Sequence, residues 1–337
     1  MPSTSPPDLA PHQHAEPYDE RVTATDTTAT GNPSRPRLWD RLAVPSERTL
    51  RRLAVASLVS QLGIVVTGGA VRLTGSGMGC PTVPRCTDES LVATPELGVH
   101  GLIEFGNRLV TFVLAGIAVL MVVAVLRTLD SDRPRRDLVV PAVALVVGIP
   151  AQALIGMVTV WTHLNPWIVT FHFMCSAVLV AVATVLVRRA QRPLGARPAE
   201  LGSPWLRRLA ALTVAATAVV VYLGTVVTGT GPHAGDEDAR WNGLDLESVA
   251  QLHTDAVGVL IGLSVGLYFA ARALGSPGRS AQAAVILLAV ELGQGLVGVV
   301  QYTLDLPVLL VGLHMLGAVL LVAAVTDAWL AARWLPG

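Results

Sequence analysis

Eight long apolar segments restrict what this chain can fold into more than any other feature. Each approaches the roughly 20 residues that an α-helix needs to cross a hydrocarbon layer about 30 Å thick. Because lipid offers the backbone no hydrogen bonds, such segments cross a membrane as helices. We place the spans at about residues 50–70, 101–126, 138–160, 167–187, 207–229, 249–271, 281–303 and 307–331. With 52% hydrophobic and only 14% charged residues, the sequence predicts an all-α membrane protein.

The later apolar segments repeat the earlier ones. A Leu-Gly-X-Val-Val-Thr-Gly motif occurs at residues 62–68 and again at 223–229. In each half a glutamine precedes a histidine by 20 residues: Gln152 and His172 in the first half, Gln294 and His314 in the second. The spans are therefore predicted to form two pseudo-symmetric four-helix bundles.

Arginines set the predicted orientation and boundaries. They are concentrated before the first span and in the loops after the second, fourth and sixth spans, whereas the alternate loops are mainly acidic. By the positive-inside rule, both termini are cytoplasmic. We predict a disordered tail at 1–47 because it has few apolar residues, two halves at 48–190 and 207–333, and a cytoplasmic linker at 191–206. The basic residues follow the membrane topology, so no nucleic-acid partner is expected.

Three histidines lie inside the predicted spans, where an ionisable side chain is costly and suggests a function. His172 and His314 lie about two turns into the fourth and eighth spans, and His253 lies near the outer end of the sixth. Two imidazoles on facing helices suit heme iron, which leaves two axial positions for protein ligands. His253 and His314 are therefore predicted to bind a heme together. The alternative is that these histidines are hydrogen-bonded structural residues.

A polar stretch marks the outer part of the second span. Glu104 and Arg108 are four residues apart, so they can form an ion pair on one helix face. His100, Glu104 and Asn107 are also predicted to share a face. Glu104 has a second interpretation, as an acid/base group beside a ligand pocket.

Two outer loops contain residues that suit cross-linking and anion binding. Cys80 and Cys86 lie in the first outer loop, on the oxidising side, where they can close a small disulfide loop that is either structural or redox-active. The glycine-rich stretch 228–235 includes His233. Its backbone N–H groups and the imidazole suit a carboxylate such as a propionate.

Together these features resemble the heme A synthase family over about residues 48–331. The resemblance is carried by the two four-helix halves, the Cys80-Pro and Cys86 loop, the Ile-Glu-Phe-Gly-Asn-Arg stretch at 103–108, the Thr-Gly-Thr-Gly-Pro-His-Ala-Gly stretch at 228–235 and the late histidines. It implies an enzyme of the bacterial cell membrane. That enzyme oxidises the C8 methyl group of heme O to a formyl group and so provides heme A for terminal oxidases.

The resemblance also implies roles for individual residues. His253 and His314 would bind the iron of the cofactor, heme b, with His233 beside it. His172 would bind the iron of the substrate, heme O, and Glu104 would act at the reacting methyl group. The other residues implied to contact the substrate heme are Asn107, Arg108 and His100. The two cysteines match the family's external disulfide.

One position departs from the family pattern. The family has a histidine three residues after the glutamate of the second span, and this chain has Asn107 there. Asparagine is a poor ligand for heme iron. Three arrangements follow: iron bound through His172 alone, water bridging from Asn107, or His100 replacing the missing ligand.

Two other functions suit an eight-span repeat protein. A non-catalytic b-type cytochrome would pass electrons across the membrane, but it needs histidines at both depths and every candidate here lies toward the outer side. A transporter is disfavoured because no pair of strongly broken helices is evident. The expected partners are heme O and membrane lipid. A complex with heme O synthase, an electron acceptor or a second copy of the chain is a further candidate.

Overall fold

Eight long helices make up nearly all of the described protein. The computed structural model describes residues 43–193, 203–236, 239–274 and 278–333. The helices are α1 Glu47–Leu73, α2 Gly98–Leu129, α3 Arg136–Trp161, α4 Pro166–Ala190, α5 Pro204–Thr230, α6 Leu246–Ala273, α7 Arg279–Thr303 and α8 Val308–Arg333, with a short 3-10 turn, Pro95–Leu97, before α2. All eight are long and apolar enough to cross a membrane, and the described ranges contain no strand. The predicted all-α membrane fold is confirmed.

The helices extend a few residues beyond the predicted spans because capping residues determine several of their ends. Ser46 accepts a hydrogen bond from the N–H of Thr49 at the start of α1, and Asp245 accepts one from Ser248 at the start of α6. Such side-chain caps satisfy N–H groups that the first helical turn leaves free. Pro166 begins α4, where its fixed backbone angle and missing N–H are tolerated.

Two ends of the helical body are easily told apart. The end that carries Cys80 and Cys86 is called the disulfide end, and the opposite end, where α1 begins and α8 ends, is called the arginine-rich end. The predicted tail at 1–47 lies outside the described residues except for 43–47. Of the predicted linker at 191–206, residues 194–202 also lie outside them.

Each group of four helices has its own apolar core. One core is built from α1–α4 and includes Met121 and Leu145, and the other is built from α5–α8 and includes Leu260 and Leu287. Both cores occupy the arginine-rich half of the helices or reach their midpoints. The disulfide half, where the candidate histidines lie, contributes little to these two clusters in the described part of the chain, with Val220 of α5 extending about one turn beyond the midpoint of its helix.

The turns α3–α4 and α7–α8 have the same unusual backbone. His163 and Leu164 have φ values of 52° and 57°, and Asp305 and Leu306 have 56° and 59°. Consecutive non-glycine residues in this left-handed region are uncommon. In each turn the leucine N–H donates a hydrogen bond back to a carbonyl of the preceding helix: Leu164 to Thr159, and Leu306 to Gln301. The repeat therefore extends to local backbone conformation.

An acidic residue joins helices of both groups at the arginine-rich end. The carboxylate of Asp327, on α8, is paired with Arg188 at the end of α4 and with Arg279 at the start of α7. Asp327 is buried, and the Arg279–Asp327 distance is 2.7 Å. A single carboxylate thus pairs with two arginines from helices that are far apart in sequence.

We expect Asp327→Ala to destabilise the protein by about 2 kcal/mol, because both arginines lose their partner and the surroundings are largely buried. The matched control is Glu47→Ala, which breaks the exposed Glu47–Arg51 pair and should cost no more than about 0.5 kcal/mol. Thermal unfolding of the two purified variants in detergent measures the difference. Equal losses of stability in Asp327→Ala and Glu47→Ala would contradict the stabilising role given to Asp327.

Candidate functional site

Two imidazoles lie in the disulfide half of the second helix group. His253 projects from α6 and His314 from α8. A glycine lies against each ring. A Cβ on Gly224 of α5 would be 3.2 Å from His253 Cε1, and a Cβ on Gly298 of α7 would be 3.3 Å from His314 Cε1. The two glycines thus leave the space that the rings occupy.

The first helix group repeats half of this arrangement. His172 projects from α4, and a Cβ on Gly156 of α3 would be 3.7 Å from its Cε1. A glutamine side chain supports the histidine backbone in both groups. Gln152 Nε2 donates to the carbonyl of His172 at 3.2 Å. Gln294 Nε2 donates in the same way to His314 at 2.9 Å.

The three histidines share an unsatisfied atom. Nδ1 of His172, of His253 and of His314 is buried and has no hydrogen-bond partner within the described ranges. Buried side-chain nitrogens normally have a partner. The rings of His253 and His314 lie beside the backbone carbonyls of Val220 and Gln294. A histidine that binds a metal through one ring nitrogen normally turns the other toward such a carbonyl. The residues present therefore fit a heme in each group.

The ligand set suits a macrocycle better than a bare ion. Among the described residues, no three side chains of His, Cys, Asp or Glu gather into a metal site. A heme brings four nitrogen ligands of its own and needs only one or two from the protein.

Glu104 and Arg108 hold the disulfide loop. Cys80 and Cys86 are bonded, as predicted, and both are fully buried. The N–H of Cys80 donates to Glu104 Oε2 at 2.6 Å. Arg108 pairs with the other carboxylate oxygen, as predicted, and donates to the carbonyl of Cys80 at 3.1 Å. Its guanidinium also reaches the carbonyls of Thr82 and Arg85.

The other polar residues of α2 have separate partners. His100 is exposed, and its Nδ1 is hydrogen-bonded to Ser76 Oγ at 2.9 Å. Asn107 Oδ1 accepts a hydrogen bond from Thr67 Oγ1, on α1, at 2.7 Å. His100, Glu104 and Asn107 therefore do not contact a common partner: Ser76 and Cys80 of the first outer loop bind His100 and Glu104, whereas Thr67 of α1 binds Asn107.

His233 joins two outer segments of the second group. Its Nε2 donates to the carbonyl of Leu306, in the α7–α8 turn, at 2.9 Å. Its own carbonyl accepts a hydrogen bond from Arg72 Nε, at the end of α1, at 2.8 Å, and Arg72 also donates to the carbonyl of Thr228. A further bond runs from the N–H of Gly77 to the carbonyl of Gly235. We call these contacts the outer tie, because they connect the disulfide-end loops of the two groups.

Sequence reasoning did not single out Arg72 or Thr67. Arg72 is a lone cation at the end of an apolar span, a signal that could have drawn attention to it. Thr67 carries no comparable signal, because a threonine in a transmembrane helix commonly bonds to its own backbone.

Comparisons with known proteins identify the family of the chain. Residues 51–234 match the family model COX15-CtaA, described as cytochrome oxidase assembly protein. A curated protein named heme A synthase from Listeria welshimeri serovar 6b is 27% identical over 186 residues, which cover 54% of this chain and 59% of that protein.

Two more curated proteins with the same name show similar identity. The protein from Exiguobacterium sibiricum is 28% identical over 170 residues, covering 50% of this chain and 55% of that protein. The protein from Alkalihalophilus pseudofirmus is 27% identical over 140 residues, covering 40% and 46%. The chain thus spans about half the length of the curated relatives it matches. Because the family model covers more than half of it, the chain belongs to the COX15-CtaA family of cytochrome oxidase assembly proteins.

Proposed function

We propose that this protein oxidises the C8 methyl group of heme O to a formyl group and so produces heme A for terminal oxidases. The observation that carries the proposal is the set of three half-buried imidazoles, each with a glycine of a neighbouring helix beside its ring, in a chain of this family. His253 and His314 would hold a heme b cofactor. When bound, that cofactor supplies one-electron redox chemistry.

The packing of the second group suits such a cofactor. Its apolar core lies in the arginine-rich half or reaches the midpoints of the helices, and the two histidines lie beyond it, toward the disulfide end. Gly224 and Gly298 make room for the rings. Arg72 extends from the end of α1 to the carbonyls of Thr228 and His233 at the disulfide end of the second group, where a cation suits the carboxylates of heme propionates.

In the first group, His172 would hold the iron of heme O, and Glu104 would act at the reacting carbon. Oxidation of a methyl group to a formyl group removes electrons and protons from that carbon and places an oxygen atom on it. A fixed carboxylate can accept a proton or stabilise positive charge during these steps. Glu104 is fixed by the N–H of Cys80 and the guanidinium of Arg108.

The proposed orientation puts the disulfide end on the outer side of a bacterial cell membrane. The loops at the opposite end carry most of the arginines, which favours the cytoplasm. The disulfide fits an oxidising compartment. Both heme sites then lie near the outer surface. The proposed partners are heme O, membrane lipid and an electron acceptor.

The structure gives no support to a transmembrane cytochrome. Helices α4, α6 and α8 begin at the disulfide end, and His172, His253 and His314 each lie in the first third of their helix. Electron transfer across the whole membrane requires hemes near both membrane surfaces. Hemes bound by these three histidines would all lie in the disulfide half of the protein.

The direct test is heme analysis of membranes from a host that makes heme O but no heme A and expresses this chain together with a suitable electron acceptor. We expect a formyl heme to appear on chromatography. A host that accumulates heme O with no formyl heme, although the expressed protein carries heme b, would contradict the proposed reaction.

His253→Ala and His314→Ala should each remove the b-type heme from the purified protein, because neither imidazole has a substitute among the described residues. The absorption spectrum of the reduced protein measures the loss. His163→Ala is the matched control, since His163 is an exposed histidine in the α3–α4 turn. It should retain the heme. A normal b-type spectrum in both pocket variants would refute the proposed ligand pair.

Glu104→Gln should lower formyl heme production by at least ~100-fold, the usual contribution of a positioned acid or base. The cofactor heme and the disulfide should remain, because the amide oxygen can still accept from Cys80. Arg108→Gln is the control. It weakens the attachment of the disulfide loop and leaves the carboxylate in place. If Glu104→Gln and Arg108→Gln lower formyl heme production equally and only modestly, Glu104 has a structural role only.

A further inference from the structure

The two helix groups differ at the place where a second imidazole would stand. Gly63 and Gly224 occupy the same position of the repeated motif at 62–68 and 223–229. Gly224 faces the ring of His253. A Cβ on Gly63 would meet no atom of the described residues within 4 Å. The first group therefore has open space where the second group has a histidine.

Asn107 is the α2 side chain that reaches this region. It is bonded to Thr67, which lies four residues after Gly63 and so on the same face of α1. The hydroxyl of Thr67 donates to Asn107 Oδ1, which fixes the amide and occupies its oxygen. The amide NH₂ then remains as a hydrogen-bond donor. An amide in this state can donate to a small ligand, but it cannot replace an imidazole on iron.

The other described histidines are engaged elsewhere. His100 is exposed and bonded to Ser76, about two turns from Asn107 toward the loop. His163 is exposed in the α3–α4 turn, and the Nε2 of His233 donates to Leu306. Within the described ranges, His172 is thus the one imidazole that the first group offers from its interior.

We infer that the first group is a binding site for a small exogenous ligand, namely water or a diatomic gas, on the iron of its heme. His172 fills one axial position, the opposite position stays open, and Asn107, held by Thr67, donates a hydrogen bond to the ligand bound there. This inference rests on the proposed function, because it needs a heme in the first group. The second group, with two imidazoles, leaves no position for such a ligand.

Carbon monoxide is a suitable probe, because it binds ferrous heme only at an open or weakly filled axial position. The full-length protein is purified with heme in both groups, reduced and titrated with carbon monoxide. We expect half of the bound heme to be high-spin and to bind the gas. The other half stays low-spin and unreactive.

Four variants assign the reactive heme. Asn107→His should abolish carbon monoxide binding and convert the high-spin signal to a low-spin one, because it supplies the missing imidazole. Asn107→Leu should keep the binding but speed dissociation of the gas about five- to tenfold, as expected for the loss of one hydrogen bond. His253→Asn is the control: it should lose the second heme, while the heme of the first group still binds carbon monoxide. His172→Ala should remove the reactive heme.

The outcomes separate this inference from the proposed function. If both hemes of the unmodified protein are low-spin and refuse carbon monoxide while formyl heme is still produced, the inference fails and the proposed function stands. Retained carbon monoxide binding in Asn107→His also overturns the inference. If heme never binds in the first group and no formyl heme forms, the proposed function fails and the inference fails with it.

Discussion

The interior of a membrane offers polar groups no water, and the structure depends on this constraint throughout. Each buried polar group must find a partner inside the protein or cost several kcal/mol. The buried hydroxyls meet this need by bonding to the carbonyl one turn earlier, as Thr184, Thr213 and Thr217 do. Two buried carboxylates are paired on both oxygens, since Glu104 has two donors and Asp327 has two arginines, whereas Glu291 accepts a hydrogen bond from Ser264 on one oxygen only. Against this background, three histidines at matching places, each with a glycine beside its ring, are suited to hold a bound group such as the proposed heme.

The two halves share a framework and differ in chemistry. They have in common the glutamine under the histidine carbonyl, the glycine beside the ring and the left-handed turn between the last two helices of each group. The difference in candidate iron ligands lies in α2 and α6. There the first group presents Glu104, Arg108 and Asn107, while the second presents His253. Under the proposed function, the same framework would hold a heme in each group, with polar side chains of α2 beside it in the first group and a second imidazole in the second.

Much of the fold was predictable, because hydropathy and arginine placement are local signals. The eight spans, the disulfide and the Glu104–Arg108 pair could each be read from neighbouring residues. The helix ends differed by a few residues, since caps such as Ser46 determine them and hydropathy does not. The partners of His100, Asn107 and His233 could not be foreseen. Each is a residue on another helix or loop, and the Arg72–His233 contact joins residues separated by 161 positions. The interior location of His172 was predictable, but the open space beside Gly63 required coordinates.

The outer tie and the ion pairs of Asp327 connect the two helix groups at opposite ends of the helices. Because the groups are connected at both ends, they cannot easily separate. A flat macrocycle with a long apolar tail would then have to enter its group sideways, from the lipid, between helices of that group. The bilayer itself would serve as the delivery route, and the product would leave in the same plane. An enzyme of this build would exchange its substrate and product with membrane neighbours without releasing either into water.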